Sequence, residues 1–392
     1  MAGSSAVIFL PDDSTKTGAA RPLMLSRIMG SPLLSWLVSS LAARDVDRFF
    51  LICHDRWLDE AKACFPSGVS LTAANSVDVP DLLHVFLSTA EERDEETVVV
   101  TGPAVLVAPD MAAQADVIPA PSCVYHVGRQ ALMDALDERC VFLDFLRQRG
   151  KPFTDRDGIY SLRGPEELAA WQPVLNRQHL HALVRSGVEI WDYQSCYVDP
   201  TVRVGRGSVL MPGTILRGDT TVGENCVIGP NALLENVAMG DGCTVNASQL
   251  YDAKVGSGAI VGPFAYVRPG TVIGDNVKIG DFVEIKNSVI GDGTKVPHLT
   301  YVGDSDVGKS VNFGCGTAVC NYDGSKKHRT TIGDGVFLGC NTNLVAPVQV
   351  GDRAFTAAGS TITDNVPPQA LGIARARQTN KRDWVKRRLN KR

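Results

Sequence analysis

The chain has 392 residues, enough for about two domains, and its 44% hydrophobic and 21% charged composition is that of an ordinary globular protein. A net charge of −4 gives no reason to expect a nucleic-acid partner, and no apolar run reaches the length of a membrane span, so no membrane insertion is expected. The ten cysteines are scattered, with no C-x-x-C pair and no secretory signal at the N-terminus, which predicts reduced thiols in a cytoplasm.

Residues 1–163 read as an α/β domain. Ala6-Val-Ile-Phe-Leu10 is a short strand, followed by the polar turn Pro11-Asp-Asp-Ser-Thr-Lys-Thr-Gly18. Pro32-Leu-Leu-Ser-Trp-Leu-Val-Ser-Ser-Leu41 has helical spacing, and Arg48-Phe-Phe-Leu-Ile-Cys53 and Thr97-Val-Val-Val-Thr101 are apolar runs of strand length. Strands alternating with helices predict a parallel sheet covered on both faces. These residues resemble a sugar-phosphate nucleotidyltransferase domain in degraded form, with a Rossmann-like fold. The family's loop resembles L-A-A-G-x-G-T-R-M, whose glycines let backbone N–H groups approach phosphate. Here the glycines are gone, Pro11 removes a donor, and Asp12 and Asp13 face where phosphate would lie. The family's P-K is Pro22-Leu23, and its Q-x-G-T-x-H-A motif is absent from Asn75-Ser-Val-Asp-Val-Pro80. The metal-binding Asp of G-D-x-P is missing at Gly102-Pro103, and the ligand Asn of V-N-x-R is Leu175. The expectation is a kept fold with lost chemistry, Asp12 and Asp13 serving as turn formers. Mg2+ enters only if uridylyltransferase activity is retained.

Residues 164–195 read as a helical connector, opened by Pro165, with Pro173 expected to kink or split it. His179 and His181 lie two apart, on different sides of a helix, and are expected to be surface or packing residues.

From 196 to 366 an aliphatic residue returns every six positions, as in Val255, Val261, Val267, Ile273, Ile279 and Ile285. A short fixed period means stacked coils, each hexapeptide giving one flat strand and a turn and three closing a triangle around a continuous aliphatic core. The period fails at 236–254, where a bulged coil is expected, and after Val319, where Cys320-Asn-Tyr-Asp-Gly-Ser-Lys-Lys-His-Arg-Thr-Thr331 must leave the stack as a loop. That loop gathers Lys326, Lys327, His328 and Arg329, a basic patch suited to an anion. Residues 367–392 form a basic C-terminal arm, read either as a disordered or nucleic-acid-binding tail or as an arm that packs on a neighbouring subunit and helps bind a polyanionic cofactor, with Trp384 favouring packing for at least part of it.

The strings Gly262-Pro-Phe-Ala-Tyr-Val-Arg-Pro-Gly270, Phe282-Val-Glu-Ile-Lys286, His298-Leu-Thr-Tyr-Val-Gly-Asp304, Cys320-Asn-Tyr-Asp-Gly324, Leu344-Val-Ala-Pro-Val348 and Gln378-Thr379 closely resemble the acetyltransferase domain of the bacterial bifunctional N-acetylglucosamine-1-phosphate uridylyltransferase/glucosamine-1-phosphate N-acetyltransferase family (GlmU). The resemblance implies a left-handed parallel β-helix and a homotrimer. It implies that His298 is the general base for attack of the C2 amine of glucosamine 1-phosphate on acetyl-CoA, a task suited to imidazole, and that Glu284 orients the ring. Arg268, Lys286, Lys327, Tyr301 and Asn312 match sugar-phosphate positions. Asn321 and Tyr322 match the junction of sugar and acetyl group, and Ala358 and Arg375 match acetyl-CoA positions. Cys340 departs from the family, which usually has a cofactor-contacting serine there. Cys315 and Cys320 flank the same region and are expected to be buried, inert thiols, with no metal. The product would feed UDP-N-acetylglucosamine and cell-wall peptidoglycan synthesis. Two alternatives stand beside this reading: a bifunctional enzyme that keeps uridylyl transfer, and a non-catalytic trimeric structural or regulatory protein.

Overall fold

The computed structural model of the chain describes residues 5–18, 20–75, 79–89, 95–112, 120–153 and 157–389. Part of the missing nucleobase motif, residues 76–78, and the last three residues of the basic arm lie outside them. Two compact units are present. One is Met1–Thr221 with Leu234–Asn236, the other Val222–Leu233 with Val237–Arg392.

The first unit contains a six-stranded sheet. Its strands and two of its helices run β1 (Ser5–Leu10), α1 (Leu33–Ala42), β2 (Arg48–Cys53), β3 (Ser70–Ala74), α2 (Val79–Ser88), β4 (Glu96–Val100), β5 (Val124–Gly128) and β6 (Lys151–Pro152). The sheet order is β3-β2-β1-β4-β5-β6. Along β1, Ala6, Ile8 and Leu10 enter one core and Val7 and Phe9 the other, the period-2 pattern of a strand covered on both faces. The sheet is not all parallel as expected: β1 to β4 pair in parallel, but β5 and β6 pair antiparallel.

The turn after β1 is consumed by its own contacts. Asp12 accepts from the backbone and hydroxyl of Ser14 and, at 3.1 Å, from the Trp57 indole; those bonds hold its carboxyl below the usual range. Asp13 accepts from the Leu23 amide at 2.8 Å. Asp12 is a turn former, as expected, while the Asp13 side chain ties the turn to the segment at Leu23.

The connector is one helix, α3 (Pro165–Arg185). Pro165 sits at its start, where the missing N–H costs nothing. Pro173 does not split it; its position is exposed and the helix continues through it. Asn176 is buried and stitches α3 to the first coil, its amide donating to the Cys196 carbonyl at 2.8 Å and accepting from the Val198 amide. His179 packs edge-on to Trp36, and His181 lies against Tyr193.

The second unit is a parallel β-helix. Three columns of inward residues run its length. Val245, Val261, Ile279, Val296, Phe313 and Leu338 form one; Ile273, Ile290, Val307, Ile332 and Val350 form another; Val267, Ile285, Val302, Val319, Leu344 and Ile362 form the third. All are buried, so the aliphatic period of the sequence is the core of the prism. The small residue after many of these positions has a physical cause. At successive corners an aspartate of one coil accepts from a backbone amide of the coil before, as Asp275 does from Ser257, Asp292 from Asp275 and Asp352 from Asp334, at 2.8–3.0 Å. A Cβ at Gly256, Gly274 or Gly333 would meet those carboxylate oxygens at 2.3–2.4 Å.

The stretch expected to bulge holds two seven-residue strands, Leu233–Met239 and Gln249–Val255. Its irregular sequence bends without breaking pairing, with Asn236 and Asp252 in left-handed conformations. The insertion after Val319 does leave the stack. It is a short hairpin, with an antiparallel bridge between Tyr322 and Lys327. The arm ends in a helix at Trp384–Leu389 whose residues are exposed, Trp384 lying under the Arg388 guanidinium at 5.1 Å. Among the described residues no helix is long and apolar enough to cross a membrane.

Candidate active site

The strands that carry the site are β7 (Lys278–Asp281), β8 (Glu284–Lys286), β9 (Lys295–His298), β10 (Tyr301–Gly303) and β11 (Ala318–Cys320). β7 and β9 pair in parallel, in register, with Asp281 opposite His298. The register brings the two side chains together: His298 Nδ1 lies 2.5 Å from Asp281 Oδ1. That bond holds the Asp281 carboxyl below the usual range. The imidazole remains 56% exposed, so its other nitrogen is open to a reactant. Leu299 follows in a left-handed conformation and turns the chain away from the histidine.

Glu284 is engaged elsewhere than the ring. It stands opposite Tyr301 on the adjacent face and pairs with Arg268, Oε1 to Nη1 at 2.8 Å, an interaction that also raises the guanidinium pKa. The corner residue Asp281, which the motif match passed over, takes the position expected of Glu284. A signal for it is in the sequence: a coil takes 17 residues here, and Asp281 is 17 before His298.

Asp304 organises the second cluster. It accepts from Asn287 at 2.6 Å, from the Asn321 amide, and from Lys286 at 3.4 Å. Burial pushes its carboxyl up, but those partners win and hold it below the usual range. Asn321 is buried and also donates to the Tyr301 hydroxyl at 3.4 Å. Lys327, reaching in from the hairpin, lies next to Lys286, and that neighbouring ammonium drives its pKa down. Arg268 adds to the same positive field. Asn312 pairs opposite Lys295 on the strand next to β9.

The basic hairpin is less free than its sequence implies. Arg329 forks onto Asp306 with two bonds of 2.6 Å, and His328 bonds Asp323 at 2.6 Å. Of the four basic residues, Lys327 is the one the structure turns toward Lys286. Tyr322 is exposed, its hydroxyl donating to the Gly324 carbonyl at 2.7 Å.

Cys340, Ala358 and Arg375 follow one another along a single corner of successive coils. The Gly359 amide donates to the Cys340 carbonyl at 2.8 Å, and a Cβ at Gly359 would lie 3.8 Å from Arg375 Cδ. Cys315 precedes them, the Asn341 amide donating to its carbonyl at 2.7 Å. Three residues past the Lys295–Asn312 pair, Cys315 is level with His298. The expected acetyl-CoA positions Cys340, Ala358 and Arg375 thus continue the corner that begins with Asp281 and His298, while Glu284, Lys286, Tyr301 and Asn321 occupy the adjoining face. Cys320 is exposed and Cys315 half-buried, so these two thiols are not the buried ones expected; their positions at a strand end and a corner put them at the surface. Cys340 is exposed as well. Among the described residues no cluster of potential metal ligands is present.

The model for bacterial transferase hexapeptide repeats matches residues 201–236, 252–287 and 329–364. Over 219 residues the chain is 54% identical to the bifunctional protein GlmU of Brevibacillus brevis, covering 56% of this chain and 48% of that protein. The chain is a relative of the GlmU proteins. A second GlmU, from Clostridium kluyveri, is 46% identical over 250 residues, 62% of this chain and 54% of that protein. The chain therefore spans about half the length of the GlmU proteins it matches. Among solved structures, the Arabidopsis UDP-N-acetylglucosamine acyltransferase aligns with a TM-score of 0.33 and 20% identity, over 48% of this chain and 66% of that one. The C-terminal part is a left-handed β-helix of hexapeptide repeats, and the N-terminal part an α/β sheet.

Proposed function

We propose that the chain transfers the acetyl group of acetyl-CoA to the C2 amine of glucosamine 1-phosphate, in the cytoplasmic synthesis of UDP-N-acetylglucosamine. The observation that carries this reading is an exposed, carboxylate-backed histidine on one corner, with two neighbouring lysines on the adjoining face. His298 takes the proton as the amine attacks the thioester, the C–N bond forms, the C–S bond breaks and coenzyme A leaves as its thiol. Asp281 fixes the ring and stabilises its charged form. Lys286, Lys327 and Arg268 receive the phosphate; a dianion relieves the repulsion between the two ammonium groups. Acetyl-CoA lies along the Cys340–Ala358–Arg375 corner, so that both substrates meet at His298 and proximity supplies much of the rate.

A homotrimer is supported by an exposed apolar ladder that starts beside His298. Phe264 and Phe282 stack at 5.5 Å and Leu299 follows on the next coil, each more than half exposed. Apolar surface of this kind calls for a covering partner, and a threefold arrangement suits a prism. Uridylyl transfer has no comparable support: Asp12 is engaged in its own turn and Asp13 with the Leu23 amide, and Leu175 is buried where a metal ligand is required.

Thiol release from acetyl-CoA, with and without glucosamine 1-phosphate, tests the reading. Release that needs the sugar phosphate and is lost in His298→Ala supports it; a rate that His298→Ala leaves intact overturns the mechanism. Pyrophosphate formation from UTP and N-acetylglucosamine 1-phosphate with Mg2+ is expected to be absent.

A further inference from the structure

The first unit holds a cavity of about 770 Å3 between α1, residues 106–111 and α3, within the range of about 300–1,000 Å3 typical of small-molecule sites. Neither the turn at 10–18 nor Gly102 and Pro103, where the resemblance to nucleotidyltransferases falls, lines it. Arg44, Arg177 and Arg185 are among its lining residues, with Asp110 the one acidic residue there. Arg44 is half-buried, and burial lowers its pKa; its Nη1 meets the Asp157 carbonyl at a long 3.5 Å. Leu106, Met111 and Leu175 supply an apolar wall.

Two further residues of this wall carry buried polar atoms with no hydrogen-bond partner among the described residues, Ser39 Oγ and His179 Nε2. Burial holds the His179 ring neutral, its pKa pushed down to about 4, and the ring bonds the backbone of Asp199. Buried polar atoms are ordinarily satisfied, and leaving one unpaired costs stability. Guanidinium forks match phosphate oxygens, and the apolar wall leaves room for an organic body.

We propose that this cavity binds a small phosphorylated metabolite, its phosphate held by Arg44, Arg177 and Arg185 and its organic body resting against the apolar wall. The N-terminal unit is then a ligand-binding module that works without nucleotidyl transfer.

Calorimetric titration of the full chain with UMP, 3-phosphoglycerate and inorganic phosphate tests this. Ala182→Phe places a ring on the exposed surface of α3 at the cavity wall, and Arg44→Gln removes one charge; neither touches the β-helix site, so the thiol-release rate serves as a control for folding. The expected result is binding of at least one organic phosphate, weakened about tenfold or more in both variants, with thiol release unchanged. No binding of any probe at millimolar concentration, equal binding by both variants, or binding of inorganic phosphate alone overturns the proposal.

Discussion

Asp281 earns its role from register alone. It stands one coil before His298, and parallel pairing without a slip places the two side chains on one corner. Asp281→Asn is expected to lower kcat roughly 10- to 100-fold with KM little changed, because the ring loses its orientation while substrates still bind. Glu284→Gln is expected to act mainly on the KM for the sugar phosphate, by altering Arg268. If steady-state kinetics show the reverse pattern, Glu284 is the orienting group. His298, Lys286, Tyr301 and Asn321 stand out in the sequence because each lies in a string that is irregular against the repeat. Asp281 was passed over because it stands at an ordinary corner of the repeat. In the hairpin, the Asp323 carboxyl is pulled to about 2, first by the Lys326 amide and then by His328. Its folded pKa lies below the unfolded value, so the hold on the hairpin is complete above about pH 4 and lost as pH falls toward 2. Amide exchange at 324–328 is expected to rise over that window in the wild type and to be raised already at pH 5 in Asp323→Asn; a flat wild-type profile would sink this reading.

At the scale of the element, the repeat fixes both core and corner. Gly274→Ala would drive a Cβ to 2.4 Å from Asp292 Oδ1 and 2.9 Å from its backbone N, at a cost of roughly 2–4 kcal/mol. Gly242 has a positive φ of 65° but open space, so Gly242→Ala is expected to cost only about 1–2 kcal/mol of backbone strain. Denaturant midpoints that rank the two variants the other way would refute the corner account. Helix α3 carries a pH dependence of its own. Burial pushes His179 down to about 4, so between pH 6.5 and 4 the unfolded chain takes up a proton that the folded one does not. Stability is therefore lost as pH falls through that range, by on the order of 3 kcal/mol. Denaturant unfolding at pH 7 and pH 4.5 should show a smaller loss for His179→Gln; equal losses would remove His179 as the cause. The helix itself was legible from Pro165 and its spacing. Its continuity past Pro173 was not, since only the folded context shows that residue on the exposed side, and the antiparallel turn of β5 and β6 was hidden because apolar runs carry no direction.

For the whole molecule, the exposed Phe264–Phe282–Leu299 ladder sets the expected assembly. Phe282→Glu should shift sedimentation from trimer toward monomer and reduce thiol release with it; a wild-type chain that sediments as a monomer would defeat the trimer outright. The sequence announced a two-part molecule through its change of period, and the core columns were readable residue by residue. What the N-terminal part now does was not, because its cavity is lined from separated segments that no local motif joins. The aspartate corners carry one more consequence. Most of them join residues 17 or 18 apart, but the Lys309–Asp334 corner spans 25, and the surplus is the hairpin that delivers Lys327. Growth in this half of the molecule is thus quantised. Added chain must either complete a turn or fold out as a self-contained excursion whose two ends rejoin neighbouring rungs. The stack accepts new recognition elements at its edge while leaving the rungs above and below unaware of them.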